Sequence, residues 1–190
     1  AKRVTERTEI ISFNNSYHGN THGSLSVTGN EHKKFRARPL LPDVKFIEFN
    51  TISDLSQITT KTAAVIIEPI QGDAGLRIPS QEFMTALRDK CTATGAQLIF
   101  DEIQTGFGRT GLLFAFEHFN VIPDILTIAK GMGGGMPIGG FISSKEKMAL
   151  LSNNPMLGHI TTFGGHPVCC AAALANIQVI EEENLLDSVA

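Results

Sequence analysis

Six short apolar runs punctuate the chain at residues 9–13, 44–49, 63–68, 97–103, 125–129 and 138–143. Each is too short for a helix and is bounded by turn-forming residues, a pattern that predicts strands. Over 81–94 the period changes: Phe83, Met84, Leu87 and Cys91 recur at helical spacing behind Ser80, a suitable N-cap. Pro167 fits the first turn of a second long helix running to Val179. Pro39 and Pro42 mark a loop before the second strand, and Pro79 precedes the first helix. Strands that alternate with helical patterns predict an α/β fold, a doubly wound and mostly parallel sheet with crossover helices. No internal repeat, low-complexity tract or linker divides the chain, so residues 1–190 read as one domain.

In open α/β sheets the ligand crevice lies beyond the carboxyl ends of the strands. Glu68, Asp101 and Lys130 each stand at or just after such an end. Lys130 also opens the run Gly131-Met-Gly-Gly-Gly-Met-Pro-Ile-Gly-Gly140. A lysine delivered into a crevice floored by glycine backbone suits Schiff-base chemistry with a carbonyl cofactor. Pyridoxal phosphate needs in addition a carboxylate against its pyridine nitrogen, so that the ring stays protonated and accepts electrons. Asp101 is the expected carboxylate, and Gln104 the expected partner of the ring oxygen. Tyr17, the only tyrosine, is suited to lie against the face of a flat cofactor. Thr161 and Thr162 precede Phe163-Gly-Gly165, where hydroxyl and backbone N–H groups suit a phosphate.

Each of these residues also has a plain structural reading. Glu68 suits a helix cap, Asp101 a solvent-facing turn, Lys130 and Tyr17 an ordinary surface, and the threonine pair a simple turn. Rival motifs fare worse. The dinucleotide fingerprint G-x-G-x-x-G fails, because its last position is Met136 counted from Gly131 and Ile138 counted from Gly133. The acidic strand 98–102 resembles that of a phosphate-loop ATPase, yet no G-x-x-x-x-G-K-[ST] occurs in these residues. His18 and His22 have i, i+4 spacing, but Gly19 and Gly23 disfavour a helix and no acidic or cysteine partner is near, so no metal site is expected.

Three longer motifs carry a family resemblance: Asp-Glu-Ile-Gln-Thr-Gly-Phe-Gly-Arg-Thr-Gly at 101–111, Ala-Lys-Gly-Met-Gly-Gly-Gly at 129–135 and Thr-Thr-Phe-Gly-Gly-His-Pro at 161–167. Together with Ile67-Glu-Pro-Ile-Gln-Gly72 and Tyr17-His-Gly19, they resemble the class III (ω-amino) aminotransferases, in particular the acetylornithine and ornithine enzymes. The resemblance implies the large, cofactor-binding domain of a fold type I pyridoxal phosphate-dependent transferase. It implies that Lys130 and Asp101 are catalytic, and that Gln104, Tyr17, His18 and Thr162 contact the cofactor. Thr162 would reach the phosphate across a subunit interface, which implies a homodimer with shared active sites. Glu68, Asn20 and Thr161 fall at substrate-facing positions.

The implied reaction transfers an amino group from an ω-amino donor to a keto acid such as 2-oxoglutarate. A decarboxylase, racemase or aminomutase on the same fold, or an inactive binding protein, remains an alternative. Two departures from the family pattern concern substrate. Asn20 stands where an arginine commonly follows the aromatic-X-glycine unit, and Asp73 stands where a glutamate commonly partners an arginine that would lie beyond residue 190.

Family members are about twice this length. The segment 1–8, without a start methionine, reads as the tail of a helix entering a turn. The expectation is therefore a PLP-binding domain at 1–190 within a longer polypeptide, with a phosphate-binding Gly-Thr loop upstream and a small domain downstream. Net charge is −3, and no basic run exceeds the pair Lys33-Lys34, so neither nucleic acid nor an anionic membrane is an expected partner. No apolar stretch approaches the ~18 residues that span a bilayer. The three cysteines, Cys91, Cys169 and Cys170, lack metal-type spacing, and a reducing compartment is expected: the cytoplasm, or the mitochondrial matrix in a eukaryote.

Overall fold

The computed structural model describes residues 1–189. In chain order its elements are α1 (Lys2–Thr5), β1 (Glu9–Phe13), α2 (His22–Val27), α3 (Glu31–Lys34), β2 (Val44–Ile47), β3 (Thr62–Ile67), α4 (Gln81–Thr94), β4 (Gln97–Asp101), β5 (Ile125–Ile128), β6 (Gly140–Ser143), α5 (Lys145–Ala149) and α6 (Pro167–Glu182). The strands form one sheet in the order β2-β1-β3-β4-β5-β6. Its first four pairings are parallel, and β6 runs antiparallel to β5. The α/β architecture and the mostly parallel sheet agree with the sequence reading. Strand order reverses between β1 and β3, which makes their carboxyl ends a switch point where an open sheet leaves a crevice.

Continuous apolar runs form the central strands because both faces are covered. Ile11, Phe13, Val65, Ile67, Leu98 and Phe100 are fully buried. Helix α4 lays Phe83, Met84, Leu87 and Cys91 on the sheet, the face anticipated from their spacing. Phe13, Phe49 and Phe83 close this layer with ring centroids 5.9–6.0 Å apart. Burial pushes the Cys91 thiol up to about 12, so it packs as a small neutral apolar group. The helix starts where Ser80 Oγ accepts from Phe83 N at 3.1 Å, and stops at Gly95, whose φ of 72° belongs to the left-handed region.

Several boundaries differ from the sequence reading for local reasons. Strand β2 stops at Ile47 rather than 49, because Glu48 N is claimed by Asp54 Oδ2 at 3.0 Å. Strand β4 stops at Asp101 rather than 103, because Asp101 Oδ1 accepts from Ile103 N at 3.1 Å and turns the chain. Strand β6 begins at Gly140, after Pro137, which has no N–H for a ladder. Helix α6 opens with Pro167 in its first turn, as expected, and runs on to Glu182. Helix α2 does begin at His22 despite Gly23, while His18 lies outside it, so the two histidines share no helical face.

Only the β3–β4 crossover is a long helix. The β2–β3 connection uses a 3-10 turn, Ile52–Gln57, and the β4–β5 connection a loop with the 3-10 turn Ala115–Phe119. Among the described residues, no helix is long and apolar enough to cross a membrane.

Candidate active site

The site grows from the carboxyl ends of β1, β3, β4 and β5. After β1 the chain doubles back so closely that a Cβ on Gly29 would lie 2.0 Å from the Phe13 carbonyl oxygen; only glycine fits there. That return delivers Tyr17 and His18 over the sheet edge, with His18 N donating to Thr28 Oγ1 at 3.0 Å. The His18 ring then meets Asp101 from the end of β4: Nδ1 and Oδ2 are 2.7 Å apart, with both side chains buried. With Asp101 ionised, Nδ1 carries the proton and donates it. The second aspartate oxygen accepts from Ile103 N, so both ends of the carboxylate are fixed. His18 Nε2 is buried and has no hydrogen-bond partner.

Glu68 follows β3 and is buried; its Oε1 accepts from Tyr17 N at 2.8 Å. Burial pushes its carboxyl above the usual range, and the nearby negative Asp101 adds to that, against the pull of the Tyr17 N–H and of His18. Gln104 packs its amide on Gly72, where a Cβ would come within 2.5 Å of Nε2. The bend that carries Gly72 is held by Gln71, which is fully buried. Gln71 Nε2 donates to Asn14 O at 3.0 Å, and its Oε1 accepts from Arg77 Nη1 at 3.1 Å.

Lys130 lies two residues beyond β5 and opens the 3-10 turn Lys130–Gly133. Its φ of 42° is left-handed, a conformation costing a non-glycine residue roughly 1–2 kcal/mol. Asn176 of α6 secures the glycine run behind it by donating from Nδ2 to Gly131 O at 2.8 Å. Tyr17, His18, Glu68, Asp101, Gln104 and Lys130 line one cavity of about 180 Å³. Six residues singled out in the sequence, drawn from four strand ends, are thus brought together.

Three others are not. Asn20, Thr161 and Thr162 are exposed and do not line this cavity. Conversely, sequence reasoning passed over Glu102 and Asn176. Glu102 is fully buried, and its carboxyl accepts from Thr105 Oγ1, from Ala115 N at 3.1 Å and from Phe116 N at 2.7 Å. It therefore ties the 103–119 loop beneath the site. An acid directly after an apolar strand and beside a second acid was the available signal, because such a group needs several donors. Asn176 is one polar residue in a helix, and nothing local marks it out.

All of residues 1–190 match the family model described as Aminotransferase class-III. The chain is 48% identical over 187 residues to the LysW-aminoadipate semialdehyde/glutamate semialdehyde transaminase of Sulfolobus acidocaldarius, covering 98% of this chain and 48% of that protein. It is 47% identical over 175 residues to the acetylornithine aminotransferase of Methanocaldococcus jannaschii, covering 92% and 43%. It superposes with a TM-score of 0.91 and 32% identity on the ornithine aminotransferase of Toxoplasma gondii, covering 98% and 45%; that crystal has partial occupancy of PLP at its active site. The chain spans about half the length of the curated relatives it matches. With the match running through every strand end that builds the cavity, the chain belongs to the class III aminotransferase family.

Proposed function

We propose that this chain is the cofactor-binding part of a longer pyridoxal phosphate-dependent aminotransferase. In this reading the amino donor is ω-amino and acetylornithine-like, and the acceptor is a keto acid such as 2-oxoglutarate. The observation that carries the reading is the convergence of Lys130 with the buried His18–Asp101 pair in one cavity. The names of the related transaminases support the choice of donor.

The donor set fits the ring end of the cofactor. A carboxylate held at both oxygens suits a protonated pyridine nitrogen, and Lys130 lines the same cavity. When bound, pyridoxal phosphate supplies the electron sink that lets a bond beside the donor nitrogen break. The protein residues do the rest. Lys130 Nζ would hold the cofactor covalently and would serve as the base that takes the proton from the donor carbon. Asp101 would hold a proton on the pyridine nitrogen, and His18 holds Asp101 in place. Tyr17 would cover one ring face against water, and Gln104 would orient the ring oxygen.

Thr161 and Thr162 serve substrate and phosphate from a second subunit in this reading, and Asn20 and Glu68 face the substrate. The exposed apolar side chains beside the threonine pair, Ile160 and Phe163, 71% and 79% accessible, support a homodimer that covers them. Three free cysteines accord with a reducing cytoplasm. The test is the visible spectrum of the full-length protein with pyridoxal phosphate, beside Lys130→Ala. The expected result is a borohydride-reducible band in wild type alone, which bleaches with acetylornithine. A band unchanged by Lys130→Ala overturns the assignment.

A further inference from the structure

Phe107 is a bulky residue held in a conformation it does not favour. Its φ is 56°, in the left-handed region, and Lys130 shares the departure at 42°. Each costs roughly 1–2 kcal/mol, and strain of this kind persists only where the surroundings fix it. The two strained residues belong to segments that meet. A Cβ built on Gly131 would lie 3.3 Å from Phe107 Cβ, 3.7 Å from Gly106 O and 4.0 Å from Phe107 Cδ2. Phe107 is therefore a wall against the residue that follows Lys130.

That wall is anchored on every side. Gly106 N donates to Glu102 O at 2.9 Å and Gly108 N to Leu113 O at 3.2 Å, so the backbone is pinned before and after Phe107. Gly106 leaves no slack, since a Cβ there would lie 2.9 Å from Glu102 O and 3.1 Å from Phe114 Cδ1. The Phe107 ring meets the Phe114 ring edge-on with centroids 5.5 Å apart, and Phe114 stacks on Phe116. The buried Glu102 carboxylate accepts from Phe116 N and so holds the far end of the row. All three rings pack on the hydrophobic core.

The segment it faces has little stiffness of its own. Lys130–Gly133 is a single 3-10 turn, closed by Met132 N donating to Ala129 O at 3.0 Å, and three of its next four positions after Lys130 are glycine. Asn176 tethers the Gly131 carbonyl, and Phe107 fills the space where a Gly131 side chain would go. We infer that Phe107 is a positioning residue: its side chain, presented by a strained backbone, fixes the Lys130 turn and with it the placement of the Lys130 amine in the cavity. The inference rests on the aminotransferase reading for the use of that amine, but the hold on the turn can be measured without cofactor.

The experiment compares full-length wild type with Phe107→Gly, Phe107→Ala, Phe107→Leu and Phe119→Leu. Glycine accepts the left-handed backbone and removes the wall, alanine keeps Cβ alone, and leucine restores apolar bulk. Phe119 is a buried core residue that makes no contact at Gly131, so its variant reports general loosening. In the cofactor-free protein, hydrogen exchange of a peptide covering 129–133 is expected to quicken about tenfold in Phe107→Gly and by less in Phe107→Ala. It stays near wild type in Phe107→Leu and Phe119→Leu. Wild-type exchange in both the glycine and alanine variants overturns the inference, as does an equal quickening in Phe119→Leu. With pyridoxal phosphate and acetylornithine, Phe107→Gly is expected to lower kcat about tenfold with KM within about twofold of wild type, and Phe107→Leu to recover most of the loss. A loss confined to KM overturns the inference. Exchange that depends on Phe107, in a protein whose visible band no donor bleaches, upholds the positioning role and overturns the aminotransferase reading instead.

Discussion

Glu102 offers the sharpest test of how the site is supported, because one fully buried carboxyl serves three donors on a loop that crosses beneath the cavity. Glu102→Ala leaves Ala115 N and Phe116 N without their acceptor, while Thr105 can turn its hydroxyl elsewhere. Each buried donor left unsatisfied costs about 1–3 kcal/mol, and the vacated volume adds to this, so a loss of about 3–5 kcal/mol is expected. Glu102→Gln keeps one acceptor oxygen but turns an NH₂ toward a backbone N–H, for a loss of about 1–3 kcal/mol.

Burial also pushes the Glu102 carboxyl above its ordinary value of 4.5, and Asp101 adds to that, against the pull of its three donors. A raised acid contributes stability that is fully present below the ordinary value and is lost as pH rises through the folded value. The amide does not titrate, so the stability gap between wild type and Glu102→Gln narrows as pH climbs from 4.5. The assay is urea denaturation of the full-length protein over a pH series, with Glu181→Ala on the exposed face of α6 as the control. An alanine variant no worse than this control, or a gap that widens with pH, refutes the reasoning.

Three further outcomes follow from the same geometry. His18→Ala takes from Asp101 a charge-assisted bond of about 1.5–3 kcal/mol, so the full-length enzyme should bind pyridoxal phosphate tenfold to a hundredfold more weakly by fluorescence titration; unchanged affinity would remove His18 from its positioning role. Gly72→Ala should expel the Gln104 amide and weaken the cofactor while hardly changing the melting temperature, whereas Gly29→Ala meets an immovable carbonyl and should cost about 3 kcal/mol or more in the same melt. For Asp124, burial raises the carboxyl, but bonds from Lys147, Leu98 N and Arg88 outweigh it and hold it below its ordinary 3.8. That stability is present above the ordinary value and fades as pH falls through the folded one, so Asp124→Asn should cost about 1–3 kcal/mol at pH 7 and little in strong acid, read by urea midpoints.

How much of this was legible depended on whether a residue's role is set locally. Strand cores were, because apolar runs of four to six residues have few other uses in a covered sheet. Strand ends were less so: whether the pairing goes on past Ile47 or Asp101 is decided by Asp54 and by the Asp101 side chain itself, and both are competitors for a backbone N–H. The short helices α2 and α3 left no signal because they are a turn or two long and are held by the return of the chain over β1. Asn20, Thr161 and Thr162 were singled out by their place in longer motifs and not by a strand end, and they stand outside the cavity.

The switch point explains why the site residues announced themselves and their supports did not. Lys130, Asp101 and Glu68 each follow a strand, so sequence position alone sends them to the same edge of the sheet. Which of them meet depends on strand order, and parallel strands carry no mark of their neighbours. Because β1 lies between β2 and β3, His18 arrives beside the acids at the ends of β3 and β4, and bonds Asp101 across 83 positions of sequence. The same reversal sets Tyr17 N on Glu68 and pairs Lys33 with Asp73 in the bend after β3. A strand order with β1 at the sheet edge would keep every motif in the sequence intact and still separate the histidine from its aspartate.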